Sequence, residues 1–462
     1  MRLTPAIFFA CLLIAPALAP AARVFYTDQP TGSSGSVMSV PLDGGTATPV
    51  VTFPGTPSLR GIAWHRAAGR IYFLDNAAKM IRSIFPNGLS QQDVTAVDPA
   101  LVGSDLEVDA GPEKIFWSET RTGSTGNGLI RSANLNGTGV ETVVSAGPGT
   151  ESPYFIFLDR PAGFIYWGVQ ESTLGQNNQT TFRRASFAGV IDPTFAITTQ
   201  TRSRDLAVDP ATSIVYWCDR QTGTLFRRPL SGGFNETVIS GMNAPHGLAM
   251  DAKARKLYWA DTGQRGSGPT NTSARRVARC NFDGTEYENL TGTNGFNEPW
   301  DLTLDLSCPT YADWRARFFS TASALREPAD DADGDGADNL LEFAFDSSPR
   351  DGGAIGGPTP VPDGITYPRR RVSPLTYRVE VSTDLTAWHY NGDGSGLTWT
   401  SEGAVVPIDD EMDLVEIAPG AALAGATKLF YRIRVSSSEA LLAPVTSSLR
   451  QTKAIRKKVR RR

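Results

Sequence analysis

The chain has 462 residues, of which 40% are hydrophobic and 20% charged, with 45 glycines, 31 prolines and a formal net charge of -4. That is more chain than one hydrophobic core usually serves, so two or three domains are expected. Ample aromatics, moderate charge and abundant Gly and Pro suit an all-β chain with many turns, and no segment reaches the length of a membrane-spanning helix.

The first residues, "MRLTPAIFFACLLIAPALAPAA", carry one positive charge at Arg2, an apolar run and then small residues and prolines. This layout predicts a secretory signal peptide over 1–22, and an exported protein in an extracellular, cell-surface or periplasmic compartment. Cys11 falls inside the leader. Cys218, Cys280 and Cys308 remain, and an oxidising compartment permits one disulfide, for which Cys280–Cys308 is the preferred pair.

From residue 23 onward a pair of large apolar or aromatic residues recurs. It reads "VFYTD" at Phe25, "IYFLD" at Tyr72, "IFWSE" at Phe116, "IYWGV" at Tyr166, "VYWCD" at Tyr216 and "LYWAD" at Tyr258, with successive copies 42 to 50 residues apart. Seven positions before five of these pairs, an apolar strand ends at His65, Asp109, Asp159, Asp209 or Asp251, which describes a hairpin. After each pair comes a third motif, "SVPLDG", "SIFPNG", "SANLNG", "RASFAG", "RPLSGG" or "RCNFDG", whose glycine can take the positive φ of a tight turn. The first copy lacks its preceding strand, and an orphan copy of that strand, "WDLTLD", stands at 300–305. A strand from the far end joining the first sheet would close a ring and remove a free edge.

These three motifs in order resemble the YWTD family, the class B repeats of low-density-lipoprotein-receptor-type proteins. The resemblance covers roughly residues 23–308 and implies a six-bladed β-propeller closed by its C-terminal strand. It departs from the family pattern at His65, Glu119 and Val169. Both aromatics of each pair are expected to be buried scaffold, since a blade sandwiched between neighbours has no solvent face.

Function then belongs to grafted sites. The loop entering each innermost strand should ring the mouth of the central channel, and the residues five before each strand end are Arg60, Ser104, Tyr154, Arg204, His246 and Trp300. The next positions are Gly61, Asp105, Phe155, Asp205, Gly247 and Asp301. Arginines, aspartates, a histidine and aromatics around one opening form a recognition surface, and in the resembled family this face binds protein or peptide partners. Two alternatives stand beside non-catalytic recognition of a protein, peptide or glycan. In one, Asp105, Asp205 and Asp301 hold a divalent metal, as in lactonase-like propeller hydrolases, with His246 as a base. In the other, the propeller is a spacer in a structural or adhesive surface protein. Cys218 reads as a buried structural thiol, and no motif of a hydrolytic elbow, zinc protease or phosphate loop occurs.

Beyond Cys308 the composition changes. Residues 309–350 read as a helix-loop-helix segment around "DADGDGADNLLE", in which Asp331, Asp333 and Asp335 occupy positions 1, 3 and 5 of a twelve-residue calcium loop. Gly336 makes the turn, Ala337 offers its carbonyl, and Asn339 and Glu342 fill positions 9 and 12. The segment resembles dockerin-type or thrombospondin-type calcium stretches and points to Ca²⁺ as cofactor. Residues 351–374 read as a Gly/Pro-rich linker and 375–437 as a small β-sandwich with Trp388 and Phe430 in its core. Residues 438–462 read as a basic, disordered tail. Its last thirteen residues hold eight Lys or Arg and no acid, so the rest of the chain carries a formal -12. Such a tail offers a contact to an anionic surface, while the absence of interleaved aromatics argues against nucleic acid. N-x-Ser/Thr sequons occur at Asn136, Asn178, Asn235, Asn271 and Asn289.

Overall fold

Strands between Arg23 and Asp305 gather into six four-stranded antiparallel sheets in this computed structural model. It describes residues 22–29, 34–121, 128–145, 152–170, 179–199, 201–263, 275–292, 298–352, 356–371, 375–409, 411–437 and 446–450. The leader, Asn178, Asn271 and most of the basic tail lie outside the described residues. Sheets II to VI each use four consecutive strands, beginning with Leu59–His65, Leu101–Asp109, Pro153–Asp159, Ser203–Asp209 and Pro245–Asp251. Sheet I is different. Arg23–Asp28, Gly35–Pro41 and Thr48–Phe53 are joined by Pro299–Asp305, with Val24 opposite Leu304 and Tyr26 opposite Leu302. The first strands of neighbouring sheets touch in the order I to VI and back to I. This is the architecture of a β-propeller.

The aromatic pairs explain how the sheets hold together. All twelve side chains are buried, none more than 4% exposed. In each of the six hydrophobic clusters between sheets the first member of one pair meets the second member of the next: Phe25 with Phe73, Tyr72 with Trp117, Phe116 with Trp167, Tyr166 with Trp217, Tyr216 with Trp259, and Tyr258 with Tyr26. Consecutive residues of a strand point to opposite faces, so each pair serves two junctions at once. Burying such a side chain stabilises by about 2–3 kcal/mol, and the repeat spreads that gain evenly over six junctions.

The acids that end the strands fix turns. Asp75 Oδ1 accepts from the N–H of Ala77 and Ala78, and Asp219 Oδ1 from Gln221 and Thr222. Asp159 and Asp251 accept from Ala162 and Ala254 at the other end of the blades. His65 departs from the pattern in residue type alone, for its Nδ1 accepts from Ala68 N–H at 3.0 Å. The glycines that close the third motif, such as Gly88 and Gly137, take φ of 79° and 81° as their tight turns require.

After the propeller come α1 (Tyr311–Phe318) and α2 (Asn339–Phe345), then a four-stranded and a three-stranded sheet. Three expectations need correction here. The segment 351–374 is not simply a linker: Thr359–Val361 and Gly364–Arg370 are strands, and the latter pairs with Met412–Pro419. Within 438–462, Thr446–Arg450 is a strand paired with Phe430–Ser437. Trp388 and Phe430 are half-buried rather than core. The actual core is shared by helices and both sheets: Tyr311, Trp314, Leu340, Phe343, Tyr367, Val415, Val381 and Ile433 form one cluster that includes Cys308.

Ion pairs join this unit to the propeller and brace it from within. The Arg317 guanidinium donates to both oxygens of Asp251, at 2.6 and 2.8 Å. Arg370, 4% exposed, donates to the carbonyls of Phe343 and Cys308 and to the carboxylates of Glu411 and Asp346. Lys253 of sheet VI reaches Asp346 as well. These contacts fall at the Asp251 end of the inner strand, away from His246 near its start, so the two ends of the propeller have different neighbours.

Candidate functional site

Each innermost strand carries a β-bulge, and always at the positions expected to ring the mouth. Register shifts between Arg60 and Ile62, Gly103 and Asp105, Pro153 and Phe155, Ser203 and Asp205, Pro245 and Leu248, and at Trp300–Asp301 opposite Thr27. A bulge turns the extra residue out of the ladder and re-aims its side chain. Here six repeated bulges converge on a cavity of about 230 Å³ lined by Ser104, Asp105, Tyr154, Phe155, Arg204, Asp205, His246, Gly247, Trp300 and Asp301. Arg60 joins them, its guanidinium lying 3.8 Å from the centre of the Trp300 ring. All nine residues expected at the rim are therefore brought together.

The sequence set these residues alike around the mouth of the channel, whereas the structure divides them by depth. Arg60, Ser104, Tyr154 and Trp300 are half-buried, but Arg204 and His246 are 6% and 4% exposed and the three aspartates are buried. The aspartates come from alternate sheets and repeat one job. Asp301 accepts from its own neighbour Leu302 N–H at 2.8 Å and from Ile62 N–H of sheet II at 3.0 Å. Asp105 does the same with Leu106 (2.7 Å) and Ile156 (2.8 Å), and Asp205 with Leu206 (2.7 Å) and Leu248 (2.7 Å). Three carboxylates thus tie three junctions. Two of the other junctions close through glycine: a Cβ on Gly61 would meet Leu106 N at 2.4 Å, and one on Gly247 would meet Asp301 Cα at 2.7 Å.

Burial sets the protonation of this floor. It pushes the Asp105 carboxyl up to about 6 against the pull of the Ile156 and Leu106 N–H groups. Burial raises Asp205 and Asp301 well above the usual range too, with the neighbouring carboxylates adding to it. The opposite happens to His246, which burial and the nearby Arg204, Arg220 and Arg60 hold well below its ordinary value, so that it is neutral. Burial lowers Arg204 to about 10, leaving it cationic at neutral pH. Below His246, Cys218 donates its S–H to the His246 carbonyl, and burial keeps the thiol protonated. The structural role expected for Cys218 fits this geometry.

Two further arginines, Arg202 and Arg220, lie close enough to Arg204 to shift it and escaped the sequence reading. The available signal was position: Arg202 precedes a bulged strand by one residue, and Arg220 directly follows the acid of its aromatic strand.

The second candidate centre is the acidic loop. Asp331, Asp333 and Asp335 each bring a carboxylate oxygen within 4.8 Å of the others, the one such group among the described residues that could hold a metal ion. Asp105, Asp205 and Asp301 do not form such a group. Gly334 and Gly336 take φ of 78° and 94°, and their N–H groups donate to Asp331. Glu342 is 1% exposed, neither of its oxygens has a hydrogen-bond partner, and Asp333 Oδ2 has none either. Buried, unsatisfied carboxylate oxygens facing an acid cluster fit a cation. Asn339 gives the same signal: its amide nitrogen donates to the carbonyls of Leu325 and Glu327, which precede the loop, while its buried Oδ1 has no hydrogen-bond partner. Asp338 caps α2 through Leu341 N–H.

The expected Cys280–Cys308 disulfide is not formed. Both thiols are free and buried, Cys280 in the cluster between sheets V and VI and Cys308 in the core of the C-terminal unit. Sequence spacing carried no information on the two cores that separate them.

No protein-family model matches the chain. A low-density lipoprotein receptor-related protein 1 from Pyricularia oryzae is 29% identical over 198 residues, 39% of this chain and 62% of that protein, so the chain spans less than two thirds of its length. Among solved structures, the nidogen/laminin complex is 16% identical at a TM-score of 0.47, covering 62% of this chain and 99% of that one. A gluconolactonase from Xanthomonas campestris is 13% identical at 0.39, covering 62% and 91%. TM-scores below 0.5 carry no functional weight. No described helix is long and apolar enough to cross a membrane. Sheet order and the repeated aromatic packing give residues 23–305 the architecture of a β-propeller, and their sequence is similar to that of the receptor-related relative.

Proposed function

We propose that the chain is an exported binding protein whose six-bladed propeller, closed by Pro299–Asp305, recognises a protein, peptide or glycan at its mouth. One observation carries this reading: Arg60, Tyr154, Arg204, His246 and Trp300, from five different sheets, converge on one cavity through repeated bulges. Buried arginine and aromatic side chains grouped in one desolvated pocket are what binding hot spots contain. The acidic loop serves as a Ca²⁺ site with Asp331, Asp333, Asp335, the Ala337 carbonyl, Asn339 and Glu342 as ligands. When bound there, the ion supplies charge compensation for Glu342 and stiffens the start of α2, whose far end is held by Arg370 and Lys253. The hydrolase alternative has less support, because Asp105, Asp205 and Asp301 spend their oxygens on backbone N–H groups. The adhesive alternative depends on a tail that lies mostly outside the described residues.

The test is selection from a displayed random-peptide library on the full secreted chain, followed by the Ser104→Trp variant, in which an indole fills the mouth. Selected binders should be released by that variant at unchanged melting temperature. Binders indifferent to Ser104→Trp would place recognition elsewhere and sink the reading.

A further inference from the structure

The mouth is unbalanced in charge. Arg60 and Arg202 stand close enough to Arg204 and Arg220 for their charge to lower the proton affinity of both, after the larger effect of burial. No ion pair is formed by Arg60, Arg202 or Arg204 among the described residues. Burial raises the carboxyls beneath, which weakens the negative charge they set against these arginines. The donors are also unspent. Arg204 Nε, Arg60 Nε and His246 Nε2 are buried without a partner, and Arg204 and His246 are more than nine-tenths buried. Leaving a buried donor unsatisfied costs about 1–3 kcal/mol, so a ligand that accepts from these groups recovers that cost.

The aromatic faces narrow the ligand. Arg60 lies over the Trp300 ring, His246 packs 4.0 Å from it centre to centre, and Arg204 lies 4.7 Å over Tyr154. The rings on which a sugar would stack are occupied by the protein's own side chains. What is left is a small cavity with cationic, planar donors, and a carboxylate matches a guanidinium's fork of donors.

We propose that the mouth captures the side-chain carboxylate of an acidic segment of a protein or peptide partner, held by Arg204 and Arg60 beside His246 Nε2. This rests on the mouth being the binding surface, and it excludes a neutral polar side chain or an acidic glycan as the preferred ligand.

The test uses the full secreted chain and two fluorescein-labelled octapeptide pools, acetylated and amidated, with one fixed central Asp or Asn and uncharged residues elsewhere. Polygalacturonate is the competing probe. The Asp pool should bind at least ten-fold more tightly than the Asn pool, and both Arg204→Met and Arg60→Met should erase that preference. Because Arg204 is buried and its variant can fail to fold, the half-buried Arg60→Met keeps the test decisive, with melting curves for each. Equal binding of the two pools, released together by Ser104→Trp, would overturn the carboxylate while leaving the mouth reading intact. Polygalacturonate displacing the Asp pool at lower concentration than the peptide itself would overturn it in favour of a glycan. Absence of binding by either pool, or binding untouched by Ser104→Trp, would overturn this inference and count against the mouth as well.

Discussion

Gly61→Ala is the substitution that most sharply probes how the sheets close on one another. Its Cβ would stand 2.4 Å from Leu106 N, 2.6 Å from Asp105 C and 2.8 Å from Asp105 Cα, all backbone of the neighbouring inner strand. Carbon contacts prefer roughly 3.5–4.0 Å, so the strand Leu101–Asp109 must retreat by about 1 Å. No side-chain rotation can absorb the clash. Overpacking of this kind costs about 1–3 kcal/mol. The retreat also strains the Ile156 N–H to Asp105 bond across the next junction, worth about 1–3 kcal/mol if a buried partner is left unsatisfied. It loosens Leu106 from Ala63, Tyr72 and Trp117 too. A total of about 2–5 kcal/mol corresponds to a drop of roughly 5–15 °C in melting temperature at about 2–4 °C per kcal/mol. Calorimetry or circular dichroism on the full chain reads this directly. The reference is Gly403→Ala, where the nearest atoms belong to Glu416 at an ordinary 3.7 Å and no change is expected. A Gly61→Ala protein melting within 1 °C of the parent would refute the close approach of sheets II and III.

Other predictions follow from the same contacts. Arg370→Met removes the buried cation from Glu411 and Asp346, which keep Arg66 and Lys253 of the propeller as partners, and leaves the carbonyls of Phe343 and Cys308 short of a donor. A loss of about 1–3 kcal/mol is expected, and limited proteolysis should open the C-terminal unit earlier than in the parent. Between pH 6.5 and 8 the melting temperature should fall. Asp28, held near 7 by burial, and Glu107, near 8, keep protons in the folded chain that the unfolded chain has lost. Their folded pKa values are raised, so this stability is present at lower pH and lost as pH climbs through them. His246 works in the opposite sense, but only below its unfolded value near 6.5, outside this window. A melting temperature that rises over that interval would contradict the assignment. Binding of the Asp pool should weaken as pH rises from 5 to 7 and Asp105, whose carboxyl burial holds near 6, gains charge under the arginines, whereas the Asn pool should be indifferent.

The propeller was legible in the sequence because its motif is set by simple geometry. Two large residues side by side make sense only where both strand faces are buried, and Tyr216 and Trp217 go to different junctions as that logic requires. The orphan "WDLTLD" announced its partner because Arg23–Asp28 lacked a strand on one side. The mouth was legible in membership but not in depth, since a bulge at Ser104 or Arg204 leaves no mark on residue identity, and alternation alone cannot say whether Asp205 faces water or Leu248 N–H. The strand Gly364–Arg370 was hidden by its prolines. Pro368 lies beyond the reach of Thr359–Val361, on a stretch with one edge unpaired, which is where a strand tolerates proline. Its alternating Ile365 and Tyr367, both in the core, were the missed signal. The free Cys280 and Cys308 show the limit of spacing as evidence: only the fold reveals that they serve separate cores.

Two acidic centres are distinct: a loop whose carboxylates could hold a cation, and a mouth whose carboxylates accept backbone N–H groups across the sheet junctions. Counting tightly bound divalent ions on the purified full chain and on Glu342→Gln tests that division most directly. One calcium per chain in the parent and none in the variant is the predicted result. A divalent ion that survives in Glu342→Gln and disappears in Asp205→Asn would contradict it, and would turn the mouth from a recognition surface into a metal centre.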